Sequence, residues 1–164
     1  MLSHRLARPL LSGMFISGGL DAVLHPDTKA SRAAPVINPM ARRLGLPEDT
    51  RLLVRANGAV QLGAGILLAM GVLPRVASAA LAASLVPTTL GGHRFWEEED
   101  PTLRAQQRVH FVKNAGLLGG LLLAATDTNG RPSMSWRAHR ALEHAAEAVE
   151  RASERAVQAL PAPR

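Results

Sequence analysis

The chain has 164 residues, of which 47% are hydrophobic, a formal net charge of +6 and no cysteine, leaving room for one bundle and little else. The missing cysteines exclude thiol or disulfide redox chemistry and any Cys-ligated metal or iron–sulfur cluster within the chain. The basic residues are spread through every loop without an RNA-binding signature, zinc finger or base-stacking aromatics, so no nucleic-acid partner is expected. Arginines flanking apolar runs suit anionic lipid headgroups, at about 1 kcal/mol per cation near the surface.

In chain order, the first apolar segment is 6–24 (LARPLLSGMFISGGLDAVL), which holds Arg8 and Asp21. Pro9 is tolerated near its start, where a missing N–H falls among the unpaired donors of a helix end. A cleaved signal peptide competes for this stretch, with Arg5 and Arg8 as its basic region and Pro9 to Leu20 as its apolar core, but SGGLD is a poor cleavage site. His25 to Arg51 carries Pro26, Pro35, Pro39 and Pro47 and reads as a loop broken into short turns, with ARRLG as a single helical turn on the surface.

Between Ala56 and Gly92 the only charge is Arg75, so this stretch reads as two apolar helices, 56–73 and 76–92, joined by a tight turn at Pro74–Arg75. At about 1.5 Å per residue each spans roughly 26 Å, close to the ~30 Å hydrocarbon core of a bilayer. A soluble hairpin should show a polar face every 3.6 residues, and neither run does. Pro87 predicts a kink, with Thr88 and Thr89 able to satisfy freed carbonyls.

Glu97 to Asp100 reads as a solvated acidic loop beside Trp96, an interfacial anchor. The fourth segment, 109–126, holds His110, Lys113 and Asn114. After the GRPS turn, the stretch from Ser133 or Ser135 to about Leu160 reads as an amphipathic helix whose apolar face is rich in alanine.

These elements predict an all-α integral membrane four-helix bundle over 1–130 and an amphipathic helical tail over 131–164. Small residues at i, i+4 (Gly13/Ser17, Gly65/Ala69, Ala80/Ser84, Gly116/Gly120) are expected to let the backbones approach. The positive-inside rule does not orient the bundle, because six near-membrane cations on one side face eight on the other.

The sharpest functional clue is geometric. In an antiparallel bundle the ends of spans one and three share a leaflet with the starts of spans two and four. Asp21 and His93 sit at those ends, and Asn57, Gln61, His110, Lys113 and Asn114 at those starts, so the strongly polar residues gather at one membrane face. Asp21 with Lys113 is the expected ion pair. Two readings follow: a clamp that holds the helices together, or a pocket for a polar headgroup, a quinone or an ion. His93, Glu97 and His110 form too weak a pattern for a metal site, and none is expected. No G-x-S-x-G, P-loop, G-x-G-x-x-G or HExxH pattern is present.

The run LVRANGAVQLGAGILLAMGVLPRVASAALAASLVPTTLGGHRFWEEEDP, followed by HFVKNAGLLGGLLLAATDTNGRPSMSWRAHRA, resembles the DoxX family of small bacterial membrane proteins, especially its actinobacterial branch. The resemblance covers most of residues 5 to 140. It implies a four-helix membrane bundle in the bacterial inner membrane with both termini cytoplasmic. Some family members are a subunit of a thiosulfate:quinone oxidoreductase, and mycobacterial ones are linked to a membrane assembly with a superoxide dismutase and a sulfurtransferase.

The expected role is therefore a non-catalytic subunit or organiser of an oxidoreductase assembly. The alternatives are a quinone- or small-molecule-binding redox subunit and a small transporter or lipid-binding protein. Beside the lipid bilayer, the implied partners are soluble redox enzymes or a sulfurtransferase, and association with further copies of the chain is left open. The resemblance assigns no catalytic residues.

Overall fold

The computed structural model describes residues 2–127 together with Arg140, Glu143 and His144. Five α-helices and one 3-10 turn follow in order: α1 Leu2–Leu24, α2 Asp27–Leu44, α3 Thr50–Met70, α4 Pro74–Gly92, the turn Phe95–Glu97 and α5 Pro101–Thr126. No strand occurs among the described residues. Residues 1–126 form one compact unit and 127–164 another. The expected tail helix lies outside the described residues, apart from Arg140, Glu143 and His144, which are helical.

The four expected helices are present as α1, α3, α4 and α5, and each starts ahead of its apolar segment. Asp49 caps α3, its carboxylate accepting the Leu52 N–H at 3.1 Å. Asp100 does the same for α5, accepting from Thr102 and Leu103 at 2.7 and 2.9 Å, and Pro101 fits the first position of that helix because it lacks the N–H that would be unpaired there. The early starts put Arg51, Arg55, Arg104 and Arg108 on helical turns just outside the apolar stretches. Because α1 reaches back to Leu2, Pro9 lies inside the helix and not near its start. Gly71, at φ +71°, ends α3 in the left-handed conformation that glycine adopts at little cost.

The bundle is antiparallel, and its closest pair is α1 with α3. A Cβ placed on Gly19 would lie 2.7 Å from the Gly58 carbonyl oxygen, and one on Gly58 would lie 2.8 Å from the Ala22 methyl. Gly65 presses on Ile16 and Phe15 in the same seam. Of the expected i, i+4 pairs, only Gly65 marks this contact, since Gly13 and Gly116 face open space. The residues that matter, Gly58 and Gly65, are seven apart on one face of α3 and meet Gly19 and Ile16 respectively across the seam, a pattern that spacing within one helix does not reveal.

α4 is the central helix, flanked by α2, α3 and α5, and its small residues Ala77, Ser78, Ala82 and Ser84 are buried with Leu81 and Leu85. Arg75, in its first turn, reaches across to cap α5, donating from Nε to the Ala125 carbonyl at 3.0 Å. The outside of the bundle is the apolar part: Leu10 is 80% exposed, Leu123 75% and Val109 67%. Two helices, α3 and α5, are long and apolar enough to cross a bilayer by length and composition. α4 is as apolar apart from Pro74 and Arg75 at its start, and α1 carries charges within its sequence.

The segment expected to be a broken loop is instead α2. Its Ala30, Ala33, Ile37, Ala41 and Leu44 recur at three- and four-residue steps on one face, and Ala30 and Ala41 are buried. Pro35 and Pro39, four apart, share the exposed opposite face. The carbonyls they leave unpaired lie on the outside of the bundle, so the helix tolerates them. The ARRLG turn expected as an isolated piece is its last turn, stopped by Gly45 at φ +64°.

Thr50 donates to Asn38 at 2.6 Å, and Arg51 donates to Asp27 at 2.7 Å. Adjacent residues of α3 thus hold points of α2 eleven residues apart, roughly 16 Å along its axis. α2 therefore crosses the start of α3 at a steep angle instead of running beside it.

Candidate functional site

Where α2 crosses the bundle it forms one wall of an open-sided cavity of about 670 Å³ shared with α1, α3 and α4. That volume lies within the range of small-molecule pockets. Leu44, Leu46, Leu53 and Val54 supply apolar lining, and Asn57, Gln61 and Thr88 form a polar floor. Lys29, Arg32 and His93 bring positive or protonatable groups to the same space.

The floor is organised by one hydroxyl. The Asn57 and Gln61 amides each donate from their nitrogen to Thr88 Oγ1 at 2.9 Å. Thr88 in turn donates to the Ser84 carbonyl at 2.8 Å. The i, i+4 pair on α3 is thereby tied to α4 immediately after Pro87. A second tie links α4 to α5, where buried Asn114 donates to Thr89 Oγ1 at 3.1 Å. Thr88 and Thr89, expected to relieve a proline kink, are the acceptors through which three amides clamp neighbouring helices.

His93 follows the last residue of α4 and stacks on His110, with ring centroids 5.1 Å apart. Its Nδ1 lies 2.8 Å from Gln107 Oε1. Burial holds the His93 pKa below its ordinary value, opposed by the Gln107 hydrogen bond and reinforced by His110, Lys113 and Arg32. Lys113 Nζ is 3.5 Å from His110 Nδ1 on an exposed face. Phe95, Trp96 and Phe111 meet edge to face beside this group, with centroids 5.2 to 5.8 Å apart.

The polar residues thus reach one end of the bundle but form separate groups. Asn57, Gln61 and His93 line the cavity, whereas Asp21, His110, Lys113 and Asn114 do not. The expected Asp21–Lys113 pair is not formed. Asp21 is paired with Lys29, the first turn of α2 having brought that cation close, and with His25 at 3.1 Å. His93 and Glu97 do not share a helix face, because α4 stops at Gly92 and Glu97 pairs with Arg94 at 2.8 Å. Among the described residues no group of three metal-ligating side chains comes together. Sequence reasoning missed Lys29, Arg32 and Gln107, all of which act only once α2 and the α4–α5 turn are folded. The apolar repeat of α2 was the signal that could have found the first two.

Two expected results follow from these placements. Asp21→Asn combined with Lys113→Met should give additive changes in melting midpoint, whereas Asp21→Asn with Lys29→Met should be less than additive, because only the second pair shares an interaction. Coupling between Asp21 and Lys113 would contradict the arrangement.

The second concerns pH. With the folded-state pKa of His93 depressed, the neutral ring contributes stability that is whole above the ordinary value of 6.5 and is lost as pH falls through the folded value. The melting midpoint should therefore drop on acidification from about pH 7.5 to about pH 5.5, and His93→Gln should flatten that drop. A profile unchanged by the substitution would place the titration elsewhere.

An apolar exterior, a small-residue interior held by amide–hydroxyl ties and two helices fit to cross a bilayer define an all-α membrane protein. A family model described as DoxX matches residues 4–94, over half of the chain, and the chain belongs to that family. The match covers α1 to α4 and stops before α5, so the FVKNAGLLGGLLL segment lies beyond it. No curated protein matches the chain. No solved structure matches it either.

Proposed function

We propose that this DoxX protein is a four-span subunit of the bacterial inner membrane that holds a small amphiphile, such as a quinone, in the cavity behind α2. In this reading it serves a membrane-associated oxidoreductase assembly without catalysing the reaction itself. The observation that carries the ligand-holding role is the cavity, apolar along its sides and polar at its floor. The redox setting rests on the family resemblance, and the absence of cysteine assigns any sulfur chemistry to a partner such as a soluble redox enzyme or sulfurtransferase. Both termini face the cytoplasm in this arrangement, and α2 lies at the opposite surface with its exposed prolines outward.

The test is to purify the tagged protein from its native membrane beside Val54→Phe, which places a ring in the cavity away from the polar ties. Solvent extraction should recover a quinone or another small amphiphile in near-stoichiometric amount from the parent and far less from the variant. Equal extracts from two equally stable proteins would sink the ligand-holding role, and failure to retain any redox enzyme under gentle solubilisation would remove the assembly.

A further inference from the structure

The cavity floor presents more acceptors than the protein itself satisfies. Thr88 has a single hydroxyl proton, and it goes to the Ser84 carbonyl. Its oxygen can therefore meet Asn57 and Gln61 only through their N–H groups, which fixes both amides with nitrogen toward Thr88. The two amide carbonyls are left over, and among the described residues neither has a partner. Gln61 is only 6% exposed, so bulk water hardly reaches it. With Gln107 Oε1 as its partner, His93 Nδ1 carries the ring proton and leaves Nε2 as a third acceptor in the same lining.

Both oxygens face the pocket rather than the packed interior, and acceptors that lack donors at the floor of an apolar pocket favour a ligand that can donate to them. Resting on the ligand-holding role proposed above, we infer that the cavity takes an amphiphile whose head is a hydroxyl group, the reduced quinol and not the quinone where the ligand is of that class, its proton given to the Gln61 or Asn57 carbonyl. Each amide retains one N–H that the same hydroxyl oxygen can accept, so the head is matched in both directions. The apolar body of the ligand lies along Leu53, Val54 and Leu44. Arg32 lines the α2 side, and its guanidinium has no hydrogen-bond partner among the described residues. It could hold an acidic head instead, and that alternative is separable by experiment.

The protein in lipid nanodiscs, with empty discs as control, is titrated with para-octylphenol, its methyl ether and para-octylbenzoate. These share a body and differ in the head: donor and acceptor, acceptor only, and anion. The phenol should saturate one site at least about tenfold more tightly than the ether, the difference one hydrogen bond of about 1.4 kcal/mol would make. Gln61→Leu should bring the phenol and the ether together, and Val54→Phe should abolish both.

Equal binding of phenol and ether to the parent would overturn the hydroxyl assignment while leaving the cavity a binding site. Tighter binding of the benzoate, lost in Arg32→Gln, would overturn it in favour of an acidic head. Absence of saturable binding by all three would remove the cavity as a ligand site and this inference with it.

Discussion

Substituting Gly58 with valine is expected to lower the stability of the bundle by roughly 3 kcal/mol or more, the upper part of the range for overpacking a tight core. Even the first carbon of a side chain there would sit 2.8 Å from the Ala22 methyl, 2.9 Å from the Gly19 carbonyl oxygen and 3.2 Å from the Val23 nitrogen. Two of those three atoms are backbone, which cannot rotate aside, so the helices must separate along the whole α1–α3 seam. Gly19→Val should behave alike, since its added carbon would lie 2.7 Å from the Leu62 nitrogen as well.

The contrast is Gly13→Ala or Gly116→Ala. Nothing lies within 4 Å of either added methyl, and the change should be neutral or stabilise by up to about 1 kcal/mol through helix propensity. Melting midpoints in one detergent compare the four variants directly. A Gly58 variant as mild as the Gly13 variant would mean that α1 and α3 do not pack through these glycines.

Thr88→Val should be the costliest of the conservative changes, at roughly 2 to 4 kcal/mol, because one isosteric swap removes a shared acceptor and leaves two amides unmatched. Interhelical hydrogen bonds in membranes average only about 0.6 kcal/mol each, so intact ties alone would predict less. The larger figure applies here because Gln61 is buried and has no other partner to turn to. Thr89→Val loses only the Asn114 tie and should cost about half as much, and Thr88→Ser, which keeps the hydroxyl, should recover most of the loss. Equal effects of Thr88→Val and Thr89→Val would deny Thr88 its role as the junction.

Much of this architecture was legible in the chain because the dominant signal in lipid is the length of uncharged runs. The stretch from Ala56 to Gly92 has a single charge, and it folds as α3 and α4; the turn between them falls at 71–73 and not at Pro74–Arg75, because Pro74 suits the first position of α4. Helix starts were placed late, at Ala56 and Val109, because charge was read as the boundary. The helices in fact begin at Thr50 and Pro101, capped by Asp49 and Asp100 outside the apolar zone.

The segment 27–44 was misread for a different reason. Prolines break a helix when the carbonyls they strand are buried, and here Pro35 and Pro39 fall on the exposed face. The alanine and isoleucine repeat behind them carried the correct period. The Asp21–Lys113 expectation failed with it, since depth alone chose the partner and α2 supplied a nearer cation. The gathering of Asn57, Gln61 and Asn114 at one end did follow from helix direction. Their shared reliance on Thr88 and Thr89 depended on rotation about α4, which no hydropathy pattern encodes.

One small contact has a consequence for the size of what the cavity admits. α2 touches α4 where Ala33 faces Gly91, and a methyl added to Gly91 would already lie 3.4 Å from both the Cα and the Cβ of Ala33. This pair is a shim: the thinnest residues available set the gap between the two helices, while the residues lining the middle of the cavity set only its texture. A methyl at Gly91 would just fill the gap, whereas a larger side chain there, as in Gly91→Leu, would push α2 outward and widen the bore, and Gly91 is not among the lining residues. Relatives that differ only at this position would therefore accept bodies of different girth over the same polar floor.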